Sequence, residues 1–147
     1  MTCKDCGKAI GYAEHKTSMD LLGVELCSRH TGLIQQIIQD NQTPVEAIQL
    51  FYGLKDAGAH PMLEWWDGQK SVDIALSRVK LNIEIDTEFD RLTHQRALAD
   101  LDDAMQSFRK GFTTLRIPSI AVKYYLKKTV ENILEIAEGL KANIKVI

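Results

Sequence analysis

Three cysteines and a histidine near the start of the chain have the spacing of a metal site. Cys3, Cys6, Cys27 and His30 form the pattern C-x2-C-x20-C-x2-H, and the chain has no other cysteine. Zinc prefers four sulfur or nitrogen ligands in a tetrahedron, and two tight turns can supply them in pairs. Because four protein ligands leave no open position, we expect a structural zinc ion here rather than a catalytic one. His15, inside the spacer, is a weaker spare ligand candidate.

A second group of residues that could do chemistry is acidic. Asp73 lies in the stretch SVDIAL, Glu84 and Asp86 lie in LNIEID, and Glu64 precedes them in MLEWW. Carboxylate oxygens are the ligands that Mg2+ and Mn2+ prefer, and a cation held in this way can activate water. Whether these side chains meet depends on the elements that carry them.

Alternating apolar and polar residues predict three strands, near 62–66, 71–77 and 80–86. If Ser77 pairs with Lys80 across a short loop, Asp73 lies opposite Glu84. A hairpin turn at Asp67-Gly68 or Gly68-Gln69 places Glu64 on the same face. The other face is then the core, formed by Leu63, Trp65, Val72, Ile74, Leu76, Leu81, Ile83 and Ile85.

Two interpretations of the acidic face stay open. Like charges directly opposed across two strands destabilise the sheet, and a divalent cation would offset their repulsion. Alternatively, the face is exposed to solvent and water screens the charges.

Helices are predicted before and after these strands along the chain. Residues 33–40 form a short helix, and a second begins at Thr43-Pro44, with Glu46 closing a capping box and Gly58 after its end. Residues 94–110 form a helix, 112–117 a strand, and 119–141 a long final helix. We expect the helix over 94–110 to pack against the core through an apolar stripe, which consists of Leu98, Leu101, Met105 and Phe108.

Composition excludes several classes of protein. The chain has 147 residues, 45% hydrophobic and 26% charged, so it is long enough to bury a core and is not a disordered or low-complexity chain. It lacks a run of 18 apolar residues and an apolar signal core, so we expect a cytoplasmic protein without membrane contact.

The charge is distributed unevenly along the chain. Residues 34–90 carry 4 basic and 10 acidic groups, and residues 91–147 carry 10 basic and 6 acidic groups. An acidic middle beside a basic tail fits a metal site beside an anion-binding surface, or chance scatter on solvated helix faces.

The order of these elements, together with the stretches SVDIAL, LNIEID and GFTTLRIP and the His94-Gln95 pair, resembles the P-D-(D/E)-x-K nuclease superfamily. The resemblance covers roughly residues 43–138. Within the superfamily, the sequence most resembles the branch related to very short patch repair endonucleases. The resemblance implies an α/β restriction-endonuclease-like domain over 33–147, with a central mixed sheet flanked by helices. A small zinc-ribbon-like module over 1–32 would precede it.

The resemblance also implies roles for individual residues. Asp73 matches the metal-binding aspartate, Glu84 matches the first acid of the third-strand motif, and the carbonyl of Ile85 would be a further ligand for Mg2+ or Mn2+. Glu46 matches the acid often found on the first helix. Its capping role alone would also explain it.

One position departs from the family pattern. Asp86 stands where the motif lysine is usual, which removes the group usually thought to hold the attacking water. His94 or Gln95 would then orient water or phosphate, and the unperturbed pKa of histidine suits that task. Basic side chains suited to phosphate contact are Lys70, Arg91, Arg96, Arg109, Lys110, Arg116, Lys123, Lys127 and Lys128.

We therefore expect a Mg2+- or Mn2+-dependent DNA endonuclease with a structural zinc ion. The alternatives are a catalytically inactive nucleic-acid-binding or scaffold protein with the same fold, and a zinc-dependent adaptor between proteins. A homodimer is also open, because endonucleases of this kind often pair to cut two strands.

Overall fold

The computed structural model describes residues 1–68, 70–87 and 94–146. Within them lie six α-helices, four strands and one short 3-10 turn at Ser77–Val79. The helices are α1 (Tyr12–Leu22), α2 (Ser28–Asn41), α3 (Val45–Asp56), α4 (His94–Arg109), α5 (Ser119–Tyr124) and α6 (Leu126–Val146). The strands are β1 (Met62–Trp66), β2 (Ser71–Leu76), β3 (Leu81–Asp86) and β4 (Thr113–Pro118).

The four strands form one mixed sheet in the order β1-β2-β3-β4. The first two neighbouring pairs are antiparallel, and β3 pairs with β4 in parallel after the crossover through α4. This confirms the predicted α/β class with a mixed central sheet and flanking helices. Among the helices of the described residues, none is long and apolar enough to cross a membrane.

The register of β2 and β3 agrees with the sequence prediction. Ile74 pairs with Ile83 and Leu76 with Leu81, so the same register places Asp73 opposite Glu84. The alternation of apolar and polar residues along both strands explains the agreement. A shift of the pairing by one residue would turn these buried isoleucines and leucines away from the core.

The core lies on both sides of α3. On one side, α3 packs with the apolar face of the sheet, α5 and α6. On the other side, Ile48 and Tyr52 of α3 pack against the N-terminal segment, including Leu26 and Ile34. Each core removes apolar surface from water, which makes α3 the element that joins the N-terminal segment to the sheet.

The N-terminal segment is built from helices rather than from a ribbon of strands. The spacer between the two cysteine turns contains α1. Among the described residues of the N-terminal segment, the extended pairing is a single bridge between Thr2 and Ala9. The expected boundary after residue 32 falls inside α2, which runs on to Asn41. The segment therefore shares helix α2 and a core with the rest of the chain.

Helix α4 has the predicted bounds within one residue, but its predicted core face was wrong. Leu98, Leu101, Met105 and Phe108 are between 45% and 68% exposed. The polar side of the helix faces the sheet instead, where Ser107 donates a 2.5 Å hydrogen bond to the buried Asp67. Hydrogen bonds and ion pairs to the sheet thus decide which side of α4 is buried.

The predicted long final helix is two helices. The chain leaves helical geometry at Tyr125, with φ −137° and ψ 45°. The hydroxyl of Thr129 donates to the carbonyl of Ala121 across this break. The same carbonyl also accepts the backbone N–H of Tyr125 at 2.8 Å, so the hydroxyl of Thr129 adds a second hydrogen bond that ties α6 to α5.

Candidate functional site

A polar cleft of about 540 Å3 opens where the first turn of α3 faces β2 and β3. Four acidic and two basic side chains take part in it, and its lining comprises Gln42, Pro44, Glu46, Lys70, Asp73, Glu84, Ile85, Thr87, Asp100 and Arg116. The cleft therefore brings together three of the predicted site residues, Glu46, Asp73 and Glu84, with the predicted backbone ligand Ile85.

Asp73 lies on the polar face of β2 and is partly buried. The backbone N–H of Ile85 donates a 2.8 Å hydrogen bond to its Oδ2. Burial raises the pKa of Asp73 to about 6, the hydrogen bond from Ile85 lowers it, and the negative charges of Glu84 and Glu64 add to the rise. Lys70 offsets part of this repulsion. An aspartate whose charge is disfavoured in this way would gain from a bound cation.

Two cations hold Glu84 in place. Lys70 Nζ lies 2.9 Å from Oε2 of Glu84, and Nη1 of Arg116 lies 3.1 Å from the same oxygen. Arg116 is the register partner of Glu84 on β4, which sets their distance. Lys70 comes from the other direction, where the β1–β2 hairpin turns and its N–H donates to Asp67. Charge-assisted hydrogen bonds of this length restrict the carboxylate to one orientation.

Asp86 lies outside the cleft lining and pairs with Arg116. Nη2 of Arg116 lies 2.6 Å from Oδ1 of Asp86 and 3.5 Å from Oδ2 of Asp100. Burial lowers the pKa of Arg116, but its hydrogen bond with Asp86 and the charges of Asp86, Glu84 and Asp100 raise it above its usual range. Asp86 therefore lies beside the cleft, where it anchors the arginine that lines it.

Glu64 occupies a distorted position in β1. Its φ is 48°, and β1 pairs with β2 on both sides of it in one unchanged register. Its Oε1 accepts a hydrogen bond from Thr43, and Ser71 donates to its Oε2 at 2.8 Å. A non-glycine residue at positive φ is uncommon and is maintained here by these two hydroxyl partners.

The predicted capping box at the start of α3 was wrong. The N-cap is Pro44, with no side-chain capping bond, because the Thr43 hydroxyl binds Glu64 instead. Glu46 lies in the first turn of α3 and lines the acidic cleft.

The remaining predicted water-orienting residues are His94 and Gln95. Helix α4 begins at His94, but both side chains lie outside the described residues, as does Arg91. The described lining of the cleft contains two further charged side chains, Lys70 and Asp100. The sequence did not predict Asp100 as a site residue, because the apolar stripe of α4 dominated the pattern. Its 3.5 Å contact with Arg116 depends on how α4 is rotated about its own axis.

The Cys–His cluster assembles as the spacing predicts. Its members are Cys3, Cys6, Cys27 and His30, and their ligand atoms all lie within 4.8 Å of one another. Gly7, at φ 75°, closes the first cysteine turn, whereas Cys27 is the N-cap of α2 and His30 lies in its first turn. A tight turn and a helix start thus replace the two similar turns that were expected.

The environment of Cys3 favours its thiolate form. Burial raises the pKa of Cys3, but hydrogen bonds from the backbone N–H groups of Cys27, Cys6 and Asp5 outweigh it and lower the pKa to about 6. His15, the spare candidate, lies apart from the cluster with its Nδ1 3.1 Å from Oε1 of Glu25. Within the described part of the chain, this is the one group of three or more Cys, His, Asp or Glu side chains that could share a metal ion. Its sulfur and nitrogen donors fit zinc.

Fold and site together define a mixed α/β protein with a Cys3His cluster and a separate acidic cleft. Comparisons with protein-family models, with curated proteins and with solved structures found no match to this chain.

Proposed function

We propose that the chain is a divalent-metal-dependent nuclease that hydrolyses phosphodiester bonds of DNA in the acidic cleft. The observation that carries the proposal is the position of Asp73, with its pKa raised to about 6, across from Glu84 at the base of the cleft. The resemblance of the sequence to P-D-(D/E)-x-K nucleases supports the same two residues.

The oxygens in the cleft fit Mg2+ or Mn2+. Asp73 accepts the Ile85 N–H on Oδ2, and both cationic partners of Glu84 bind Oε2. Among the contacts of the described residues, Oδ1 of Asp73 and Oε1 of Glu84 are therefore the oxygens left for a cation, and Ile85 lines the same cleft. A cation bound there would activate water and neutralise charge on the phosphorane.

The side chains around this site have separate tasks. Arg116 fixes the orientation of Glu84 and Asp86. Lys70 lines the cleft beside Glu84, where its ammonium group would bind the phosphate. Glu46 approaches from α3 and would bind a metal-coordinated water.

Plasmid cleavage with Mg2+ or Mn2+ tests the proposal. We expect nicking by the wild-type chain, and a loss of at least about 100-fold for Asp73→Ala and Glu84→Ala. Asp102→Ala removes an exposed acid of α4 outside the cleft and should leave the rate unchanged. Metal-independent cleavage, or equal activity in all four proteins, would refute the proposal.

A non-catalytic nucleic-acid-binding protein is the second candidate, and one observation favours it. Lys70 and Arg116 already compensate Glu84, so part of the cleft charge is balanced without a metal ion. This candidate predicts DNA binding that weakens with salt and no cleavage with either cation. Binding measured on labelled duplexes at two salt concentrations, beside the cleavage assay, separates the two candidates.

A further inference from the structure

A chain of polar contacts leaves the Cys–His cluster through His30. Nδ1 of His30 faces the cluster, 3.2 Å from Sγ of Cys27 and 3.7 Å from Sγ of Cys3. Nε2, on the other side of the ring, lies 3.1 Å from Oδ1 of Asp5. The hydroxyl of Tyr52 donates a 2.8 Å hydrogen bond to the second oxygen of Asp5. The order of contacts is therefore cluster, imidazole, carboxylate and phenol.

We propose that Cys3, Cys6, Cys27 and His30 bind one structural Zn2+, that His30 is a ligand through Nδ1, and that Asp5 is the positioning residue that holds its ring. The inference is independent of the proposed nuclease activity.

The two distances from Nδ1 of His30 to the sulfurs of Cys3 and Cys27 match a tetrahedral zinc site. Zinc bonds of about 2.3 Å to sulfur and 2.0 Å to nitrogen give separations near 3.5 Å between neighbouring donors. The two sulfur-to-Nδ1 distances, 3.2 and 3.7 Å, lie on either side of that value. Cys3 and Cys27 are buried, which restricts access of water to the site.

Asp5 has the position and partners of a carboxylate that supports a metal-bound histidine. It lies between Cys3 and Cys6, so the turn that delivers two sulfur ligands also delivers the carboxylate. A histidine that binds metal through one nitrogen commonly donates its other N–H to such an acceptor, which fixes the tautomer and the ring orientation. With Nε2–H donating to Asp5, the lone pair of Nδ1 points at the cluster.

Tyr52 connects this arrangement to the main body of the fold. It is buried on α3, packs in the N-terminal core, and bonds Asp5 through its hydroxyl. Lys55, one turn later on α3, donates to the backbone carbonyl of Asp5 at 3.4 Å. Because α3 also carries Glu46, zinc at the cluster would stabilise the helix that lines the acidic cleft.

The first test is metal content and affinity of the full-length chain. We expect one zinc per chain by elemental mass spectrometry. In competition with a chromophoric chelator, Asp5→Ala should weaken zinc binding about 10- to 100-fold. Asp5→Asn keeps an oxygen acceptor for Nε2–H, so its loss should be smaller. A folded wild-type chain without zinc would overturn the site.

The chain offers a matched control for Asp5→Ala. Glu25 pairs with His15 at 3.1 Å in the same segment, outside the cluster. Glu25→Ala removes an equivalent histidine–carboxylate contact and should change zinc affinity less than about twofold. Equal affinities for wild type, Asp5→Ala and Asp5→Asn, or an equal loss in Glu25→Ala, would overturn the positioning role of Asp5.

A spectroscopic measurement tests which nitrogen is the ligand. Long-range 1H–15N correlation spectra of the zinc-loaded chain distinguish the two ring nitrogens. We expect a protonated Nε2 and a metal-bound Nδ1 for His30. The opposite pattern would overturn the assignment of Nδ1, whatever the affinity of the site.

Discussion

Arg116 and Glu84 are register partners on neighbouring parallel strands, and Nη1 of Arg116 lies 3.1 Å from Oε2 of Glu84. The same guanidinium contacts Asp86 and Asp100, so one cation compensates three carboxylates from β3 and α4. A planar group with five donors suits this task, whereas a lysine ammonium is a single point charge.

Replacing Arg116 should therefore destabilise the fold. Arg116→Ala leaves three carboxylates close together with one cation fewer, and we expect a loss of about 1–3 kcal/mol in the free energy of unfolding. Arg116→Lys restores the charge without the planar fork and should recover part of the loss. Urea denaturation of the three proteins measures the difference, and Lys123→Ala, an exposed cation of α5, is the control. Equal midpoints would show that the network contributes no stability.

The raised pKa of Asp73 makes stability depend on pH in a defined direction. Its pKa is about 6 in the folded chain against an ordinary 3.8, so the folded state holds the proton more tightly. The stabilisation is complete below pH 3.8 and is lost as the pH rises through about 6. Burial is the main cause, with Glu84 and Glu64 adding repulsion that Lys70 reduces.

Asp73→Asn removes the charge and should remove this pH dependence. Without added Mg2+ or Mn2+, we expect the variant to be more stable than wild type at pH 7, by an amount on the order of 2 kcal/mol. The difference should disappear near pH 4. Unfolding curves in urea at several pH values measure it, with Asp102→Asn as the exposed control. A variant less stable than wild type at pH 7 would contradict the prediction.

The two acidic residues on β2 and β3 show what the sequence can predict. Alternation of apolar and polar residues defines which side of each strand is buried, and that is enough to place Asp73 across from Glu84. The spacing of Cys3, Cys6 and Cys27 likewise predicts the cluster, because the chain has no competing cysteine.

The failures concern residues whose partners are distant in sequence. Thr43 looks like a helix cap, but it binds Glu64, which is 21 positions away. Lys70 reaches Glu84 across the hairpin, and Ser107 reaches Asp67 from α4. Such contacts depend on the packing of whole elements, and local propensity does not encode them.

Lys70 provides a test of catalysis that is separate from the acidic residues. If it binds phosphate beside Glu84, Lys70→Met should lower the rate of DNA cleavage at least about 10-fold. Lys70→Arg should retain more activity, because the positive charge remains. Lys141→Met removes an exposed lysine of α6 and serves as the control. Full activity in Lys70→Met, measured with a folded protein, would exclude this role.

The apolar stripe of α4 can be tested with two leucines in similar helices. Leu101 of α4 is 60% exposed, whereas Leu54 of α3 is fully buried in the core. Leu54→Ala should cost about 2–5 kcal/mol because it opens a cavity, and Leu101→Ala should change stability by less than about 0.5 kcal/mol. Urea denaturation at two protein concentrations measures both. A large loss in the free energy of unfolding for Leu101→Ala at both concentrations would mean that the apolar stripe of α4 packs against the core. A cost that appears only at the higher concentration would mean that a second copy covers the stripe.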